Sequence, residues 1–321
     1  PAEAVREAAP GAPTPVPAGQ RASEDGLPQV RGYRVERRLG RGGMGQVFLA
    51  VQESLQRRVA LKVLADKLAA DADFVRRFQA EARAAAALNH PNVVTVHDVW
   101  EEGGRHWLAM EYMDRGTLEA RVAAEGPLPW REVLEVLSDA AKGLVYAELR
   151  GIVHRDIKPA NLMRNEVGTT KIADLGLATH LEAEATDEGD RKIFGTPHFI
   201  SPEQARGERV DARSDLYSLG ATAYRLLTGH TPFEGATTRE ILRGHFFEAP
   251  EPVRDLAPSV PAELDALVLQ LLAKKPEERF ASAGALLQEL ERLRSVLVHG
   301  VGPAATTPAA AGGRRGLLVA G

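Results

Sequence analysis

The hydrophobic period of this chain changes once, and that change restricts the fold more than any other feature. Strand-like runs come first: Tyr33-Arg34-Val35-Glu36, Val47-Phe48-Leu49-Ala50, Val59-Ala60-Leu61-Lys62, Val93-Val94-Thr95-Val96 and Trp107-Leu108-Ala109-Met110. Alternation and β-branched or aromatic residues of this kind suit strands with one face in a core. One helical pattern interrupts them, with Phe74, Phe78, Glu81, Ala85 and Leu88 spaced four and three apart so that all five share a face. Gly116 marks the change of style. Beyond it Val133, Leu137, Ala140, Leu144 and Ala147 recur at helical spacing until Gly151, and the pattern returns from Asp215 to Leu227 and from Ala262 to Leu272. Strands first and helices afterwards predict an α+β chain of two lobes with a cleft between them, not an alternating βαβ sheet.

Length and composition bound the rest. A chain of 321 residues has room for about two domains with real cores. Forty basic against forty-four acidic residues leave a net charge of −4, without the basic excess of a nucleic-acid binder, so no nucleic acid is expected as partner. With no cysteine, catalysis must rest on oxygen and nitrogen groups. Residues 1–32 read as a flexible Ala/Pro-rich leader, residues 33–294 as the folded domain (small lobe about 33–113, large lobe about 114–294), and residues 295–321 as a linker. The linker ends on Arg314-Arg315 and the apolar start Gly316-Leu317-Leu318-Val319-Ala320, too short to span a bilayer; it reads either as a disordered tail or as the cytoplasmic edge of a membrane helix. The first residue is Pro1 rather than Met, so the sequence reads as a piece of a longer one.

Two motifs carry chemistry. His154-Arg155-Asp156-Ile157-Lys158-Pro159-Ala160-Asn161 packs an acid, a cation and an amide into eight residues, and Pro159 keeps them out of a regular helix. An Asp can accept a hydroxyl proton, a Lys can neutralise a transferring phosphate, and an Asn oxygen can hold a hard metal ion, so the trio suits phosphoryl transfer. Gly40-Arg41-Gly42-Gly43-Met44-Gly45 fits G-x-G-x-x-G. A dinucleotide loop would open a helix and be trailed by an acid, whereas here a strand follows and Lys62 lies near that spacing. A glycine hairpin instead lets backbone amides approach phosphates from above.

Taken in order, the glycine loop, Val59-Ala60-Leu61-Lys62, Glu81, the 154–161 loop, Asp174-Leu175-Gly176 and Ser201-Pro202-Glu203 resemble the signature set of the protein kinases. The resemblance spans residues 33 to about 294 and implies the bilobal protein kinase fold, with one regulatory helix in the β-rich small lobe. It implies that Lys62, oriented by Glu81, holds the α- and β-phosphates of ATP, that Asp174 and Asn161 hold Mg2+ (or Mn2+), that Asp156 deprotonates the acceptor hydroxyl, and that Lys158 steadies the γ-phosphate. The nucleotide would lie under Leu39, Gly40, Arg41, Gly42, Gly43, Met44, Gly45 and Gln46, with Val47, Ala60 and Met163 around the base, Met110 as gatekeeper and the Glu111 and Met113 backbone at the adenine edge. Glu203 and Arg279 would form a structural pair, and Gly195-Thr196-Pro197 would dock the acceptor. Lys158, two residues after the acid, is similar to serine/threonine rather than tyrosine kinases, which implies protein Ser/Thr acceptors.

The sequence departs from the family pattern at three places: Leu175 stands for the common Phe, Ser201 for Ala and Phe199 for Tyr. The segment after Asp174 is acidic (Glu182, Glu184, Asp187, Glu188, Asp190), and Thr179 and Thr186 are the expected autophosphorylation sites, with Thr196 reserved for docking. The ordering, Ser201-Pro202-Glu203-Gln204 and the Ala/Pro linker look like bacterial receptor-like (Hanks-type) serine/threonine kinases, a branch with a membrane tether and small-lobe homodimers. Two rival readings are a pseudokinase scaffold, disfavoured because every charged group of the set is present, and a small-molecule kinase of related fold.

Overall fold

In the computed structural model, residues 26–174 and 197–299 are described, apart from the side chains of Glu81 and His299. The small lobe is a five-stranded antiparallel sheet of β1 (Tyr33–Gly42), β2 (Gly45–Gln52), β3 (Arg57–Leu64), β4 (Val96–Glu102) and β5 (Arg105–Glu111), in the order β1-β2-β3-β5-β4. Between β3 and β4 lie the short α1 (Asp66–Ala69) and α2 (Ala72–Ala86). Asp71 caps α2 by accepting the N–H groups of Asp73 and Phe74, a cap generally worth about 1 kcal/mol. The alternation seen in the sequence separates the two faces of the sheet. Phe48, Ala50, Val59, Leu61, Trp107 and Ala109 fill one apolar cluster, while Ala60, Leu64, Leu108 and Met110 meet Phe78 and Ala82 of α2 in another.

The run Val93–Val96 behaves differently from its sequence expectation. The fourth strand begins only at Val96. The first two residues of the run turn to the large lobe, where Val93 bridges Ile172 and the Val94 N–H donates to the Ile172 carbonyl at 2.9 Å, while the Thr95 carbonyl already accepts the Glu111 N–H of β5 at 2.8 Å. Extended propensity selects a partner edge by proximity, and the nearer edge here is across the cleft.

The large lobe contains α3 (Leu118–Glu125), α4 (Trp130–Glu148), the two-stranded ribbon β6 (Leu162–Arg164) and β7 (Thr170–Ile172), then α5 (Pro202–Arg206), α6 (Ala212–Thr228), α7 (Thr238–Phe247), α8 (Val253–Leu256), α9 (Ala262–Leu271) and α10 (Ala283–His299). The 3-10 turns Pro159–Asn161, Pro197–Phe199 and Pro276–Glu278 punctuate it. Its core is built around α4 and α6, where Leu137, Leu144, Leu216, Tyr217 and Leu219 are buried with Leu264, Leu271 and Leu290. The expected α+β, two-lobed class is the fold observed. No helix among the described residues is long and apolar enough to cross a membrane; the run from Arg314 to Ala320 lies outside the described residues.

Candidate active site

The glycine loop is the turn between β1 and β2. Leu39, Gly40, Arg41 and Gly42 end one strand, Gly43 and Met44 make the turn, and Gly45 and Gln46 open the next. Gly45 has φ of 148°, and a Cβ there would lie 1.8 Å from the Val63 carbonyl oxygen, so no other residue lets the loop lie this close to β3. The Met44 carbonyl accepts the Ala65 N–H at 2.8 Å, tying the turn to the end of β3.

Below it, Val47, Ala60, Met110, Met113 and Met163 pack with Ala173 in one apolar cluster that joins both lobes. The residues expected around a purine are thus brought together from β2, β3, β5 and β6. The segment linking the lobes is held by charge. The Glu111 carboxylate meets Lys171 Nζ at 2.7 Å and also accepts the Thr95 N–H at 3.2 Å, so it joins β5, β7 and the chain before β4.

Across the cleft, Lys62 Nζ donates to both carboxylate oxygens of Asp174, at 2.9 and 3.0 Å, although 112 residues separate them. Burial works against the charged Asp174 carboxylate, but the Lys62 ammonium outweighs it and holds the group below the usual carboxylate range. Glu81 lies within α2, and its side chain falls outside the described residues, so the expected pairing with Lys62 rests on sequence alone. Leu175, Thr179, Thr186 and Thr196 likewise lie outside them.

Asp156, Lys158 and Asn161 converge on one point. Lys158 Nζ donates to both Asp156 oxygens at 2.8 Å, and Asn161 Nδ2 donates to the Asp156 backbone carbonyl and to Oδ2, each at 2.8 Å. Two acceptors on that side fix the amide orientation and turn the Asn161 oxygen away from Asp156. The His154 ring is set in the same way: Nδ1 accepts the Asp156 N–H at 3.2 Å, which leaves Nε2 to donate to the Ala173 carbonyl at 2.9 Å. His154 thereby joins this loop to the chain just before Asp174.

The loop rests on a residue that motif reading passed over. Asp215, buried in the first turn of α6, accepts the His154 N–H at 2.8 Å and the Arg155 N–H at 2.7 Å. Burial raises its pKa, with His154, Arg155 and the two N–H bonds opposing. Arg155 has φ of 66° and Asp174 φ of 56°, a left-handed backbone that non-glycine residues rarely adopt and that clusters at functional sites. Glu203 and Arg279 meet through two bonds of 2.7 and 2.9 Å in a nearly solvent-free site, and Ser214 adds a third to Glu203 at 2.6 Å. Burial opposes the Glu203 charge, and the Arg279 guanidinium overcomes it, leaving the carboxyl below its ordinary value.

A five-stranded lobe with a glycine turn above a helical lobe carrying these two loops defines the bilobal α+β kinase fold. The chain belongs to the protein kinase family: the protein kinase domain model matches residues 33–290. It is 41% identical over 261 residues to the serine/threonine-protein kinase PknB of Mycobacterium leprae, covering 80% of this chain and 42% of that protein. It is 38% identical over 251 residues to the serine/threonine-protein kinase PrkC of Bacillus subtilis, covering 78% of this chain and 39% of that one. The chain thus spans less than half the length of these relatives. A crystal structure of the Mycobacterium tuberculosis PknI kinase domain superposes with a TM-score of 0.64 at 32% identity, covering 84% of this chain and 97% of that one.

Proposed function

We propose that this chain transfers the γ-phosphate of ATP to serine or threonine hydroxyls of proteins, as the names of its bacterial relatives describe for them, in bacterial signalling. The observation that carries the reading is the placement of Asp156 between Lys158 and Asn161, with Lys158 and His154 near enough to Asp174 to stabilise its charge and Lys62 reaching that carboxylate from the small lobe. Asp156 takes the proton of the acceptor hydroxyl as that oxygen bonds to phosphorus, the bond from phosphorus to the bridging oxygen breaks, and ADP leaves with the electron pair. Lys158 balances charge beside the base, and Lys62 holds the α- and β-phosphates.

Asn161 and Asp174 supply hard oxygen donors on the cleft floor, a set that fits Mg2+ or Mn2+ with phosphate oxygens and water completing the shell. Such an ion would cancel phosphate charge that repels the acceptor. Val47, Ala60, Met110 and Met163 would enclose adenine, and the Glu111 and Met113 backbone would bind its edge. An open groove of about 560 Å3, lined by Lys158, Pro159, Ala160, His198, Phe199 and Thr231, gives a polypeptide acceptor a place beside Asp156.

The reading extends to autophosphorylation at Thr179 or Thr186 and to a membrane tether beginning at Arg314-Arg315. Radiolabelled γ-phosphate transfer to a generic protein substrate tests the activity: transfer is expected from the chain and not from Asp156→Asn, and transfer surviving in that variant would falsify the assigned role. An unmodified 175–196 segment in mass spectra of active protein would count against autophosphorylation there.

A further inference from the structure

We propose that Gln204 is a positioning residue for phosphoryl transfer, its side-chain amide fixing the peptide unit on which Asp156 is mounted. The inference rests on the kinase reading above and adds a residue to it. Gln204 and Ser201 are buried in the first turn of α5. Gln204 Oε1 accepts the Ser201 hydroxyl at 2.9 Å and the Ser201 N–H at 3.3 Å, while Ser201 Oγ accepts the Gln204 N–H at 3.4 Å. With the amide oxygen committed to two donors, the amide nitrogen faces the other way. There Nε2 donates to the Arg155 carbonyl at 2.8 Å.

That carbonyl and the Asp156 N–H are the two ends of one peptide unit. The N–H end donates to His154 Nδ1 at 3.2 Å, so the peptide carrying Asp156 is gripped at both ends. The grip matters because Arg155 has φ of 66°, a conformation that persists only where the surroundings over-determine it. Asp215 holds the N–H of Arg155 at 2.7 Å, and Gln204 holds its carbonyl. Release of the carbonyl would let this peptide rotate and carry the Asp156 carboxylate off line with the acceptor.

The platform under Gln204 is rigid. Its neighbour Glu203 takes both Arg279 bonds and the Ser214 hydroxyl, so α5 cannot slide without breaking a buried ion pair. Only an amide meets both demands at position 204, an acceptor towards Ser201 and a donor towards Arg155. The same geometry gives Ser201 a reason: its hydroxyl holds Oε1 at 2.9 Å, a bond that alanine, common there in the family, lacks.

Gln204→Glu separates the two halves of the role. Glutamate is a normal partner in a capping box, so α5 remains capped, but it presents oxygen to the Arg155 carbonyl. On the full chain, this variant is expected to stay folded but to melt below wild type, because a buried carboxylate oxygen then faces the Arg155 carbonyl. The ATP dissociation constant should stay unchanged, and the single-turnover rate of transfer should fall about tenfold, the effect of one lost buried hydrogen bond. Gln204→Met, which lacks both the donor and the amide oxygen that Ser201 holds but buries no charge, should show at least the same rate loss, and it decides the matter alone should Gln204→Glu melt early. Transfer at the wild-type rate in the folded variants overturns the proposal, as does a loss explained by weaker ATP binding. A wild-type chain with no transfer would sink the kinase reading itself, whereas a transferring wild type with unaffected variants sinks only the role of Gln204.

Discussion

A buried carboxylate is acceptable only where its charge is answered, and Asp215 is answered by two backbone N–H groups rather than by a cation. Asp215→Asn keeps one acceptor and turns an NH2 towards the other N–H. The proposed base would lose its mounting while its own side chain stays intact. We expect phosphoryl transfer to fall about ten- to a hundredfold, following the roughly 1.5–3 kcal/mol of a charged hydrogen bond, with ATP affinity little changed. Stopped single-turnover assays beside equilibrium nucleotide titration check this; equal losses in both would refute it. Sequence reading could not single out Asp215, because an acid at the start of an apolar helix is the common dipole-complementing placement and the N–H groups it serves lie some sixty residues away. Gln204 enters the sequence reading only as part of the Ser-Pro-Glu-Gln spelling, which gives no hint of its bond to the Arg155 carbonyl 49 residues away. His245 is a third buried group of this kind. Burial, with the Lys274 ammonium and His198 nearby, pushes it down to about 3, and its Nδ1 meets the Tyr217 hydroxyl at 2.7 Å. Between about pH 6.5 and that value the unfolded chain binds a proton here that the folded chain refuses. Stability is therefore present above the unfolded pKa and lost as pH falls, by at most about 2 kcal/mol from pH 6.5 to pH 5. Urea melts at pH 7 and pH 5 should show a smaller drop in His245→Gln than in wild type, and an equal drop would exclude the assignment.

At the scale of elements, periodicity reports which face is buried but not what lies against it. The spacing of Val133, Leu137, Ala140, Leu144 and Ala147 placed α4 well, because five buried positions on one helix leave little choice of face. The same spacing locates α6 between Asp215 and Leu227 but not what packs on it, because its residues are buried almost all round, from Ser214 to Tyr224 without interruption. Such a helix is central, and its contacts are set by size rather than by polarity. Gly220 shows how closely: a Cβ there would lie 2.6 Å from Leu271 Cβ of α9 and 3.3 Å from the Leu271 backbone carbon. Leu271 is in the core and its backbone cannot swing away, so Gly220→Ala should push α9 outward at a cost of about 1–3 kcal/mol, despite the better helix propensity of alanine. Thermal melts should place that variant about 2–8 °C below wild type. A variant as stable as wild type would mean that α9 shifts freely. The displaced start of β4 has a similar origin, since a β-branched run shows that the chain is extended without showing which edge it pairs with.

For the molecule as a whole, the separation into two lobes was legible because strands and helices do not mix along the chain, whereas the joints between the lobes were not. Polar side-chain contacts that cross or brace that junction include Lys62 with Asp174, Glu111 with Lys171, and the Arg37 guanidinium donating to the Tyr112 hydroxyl at 3.4 Å. The first was expected only as two separate phosphate and metal groups. The second had no motif at all, being a lysine in a short ribbon and a glutamate singled out for its backbone. Lys171 and Glu111 are mostly shielded from solvent, so their attraction is screened less than that of surface pairs, and removing one partner leaves the other charge stranded. The backbone of Glu111 is also the proposed adenine edge, so loosening its carboxylate should be felt first by the nucleotide. Lys171→Met is expected to weaken ATP binding about three- to tenfold, an effect of roughly 1 kcal/mol, while the single-turnover rate at saturating ATP changes little. Glu111→Gln should do the same, and the double variant should lose little more than either single one, because both remove one interaction. Additive losses in that cycle would show that the two side chains act independently, and unchanged affinity would show that the segment between the lobes is held by its backbone alone.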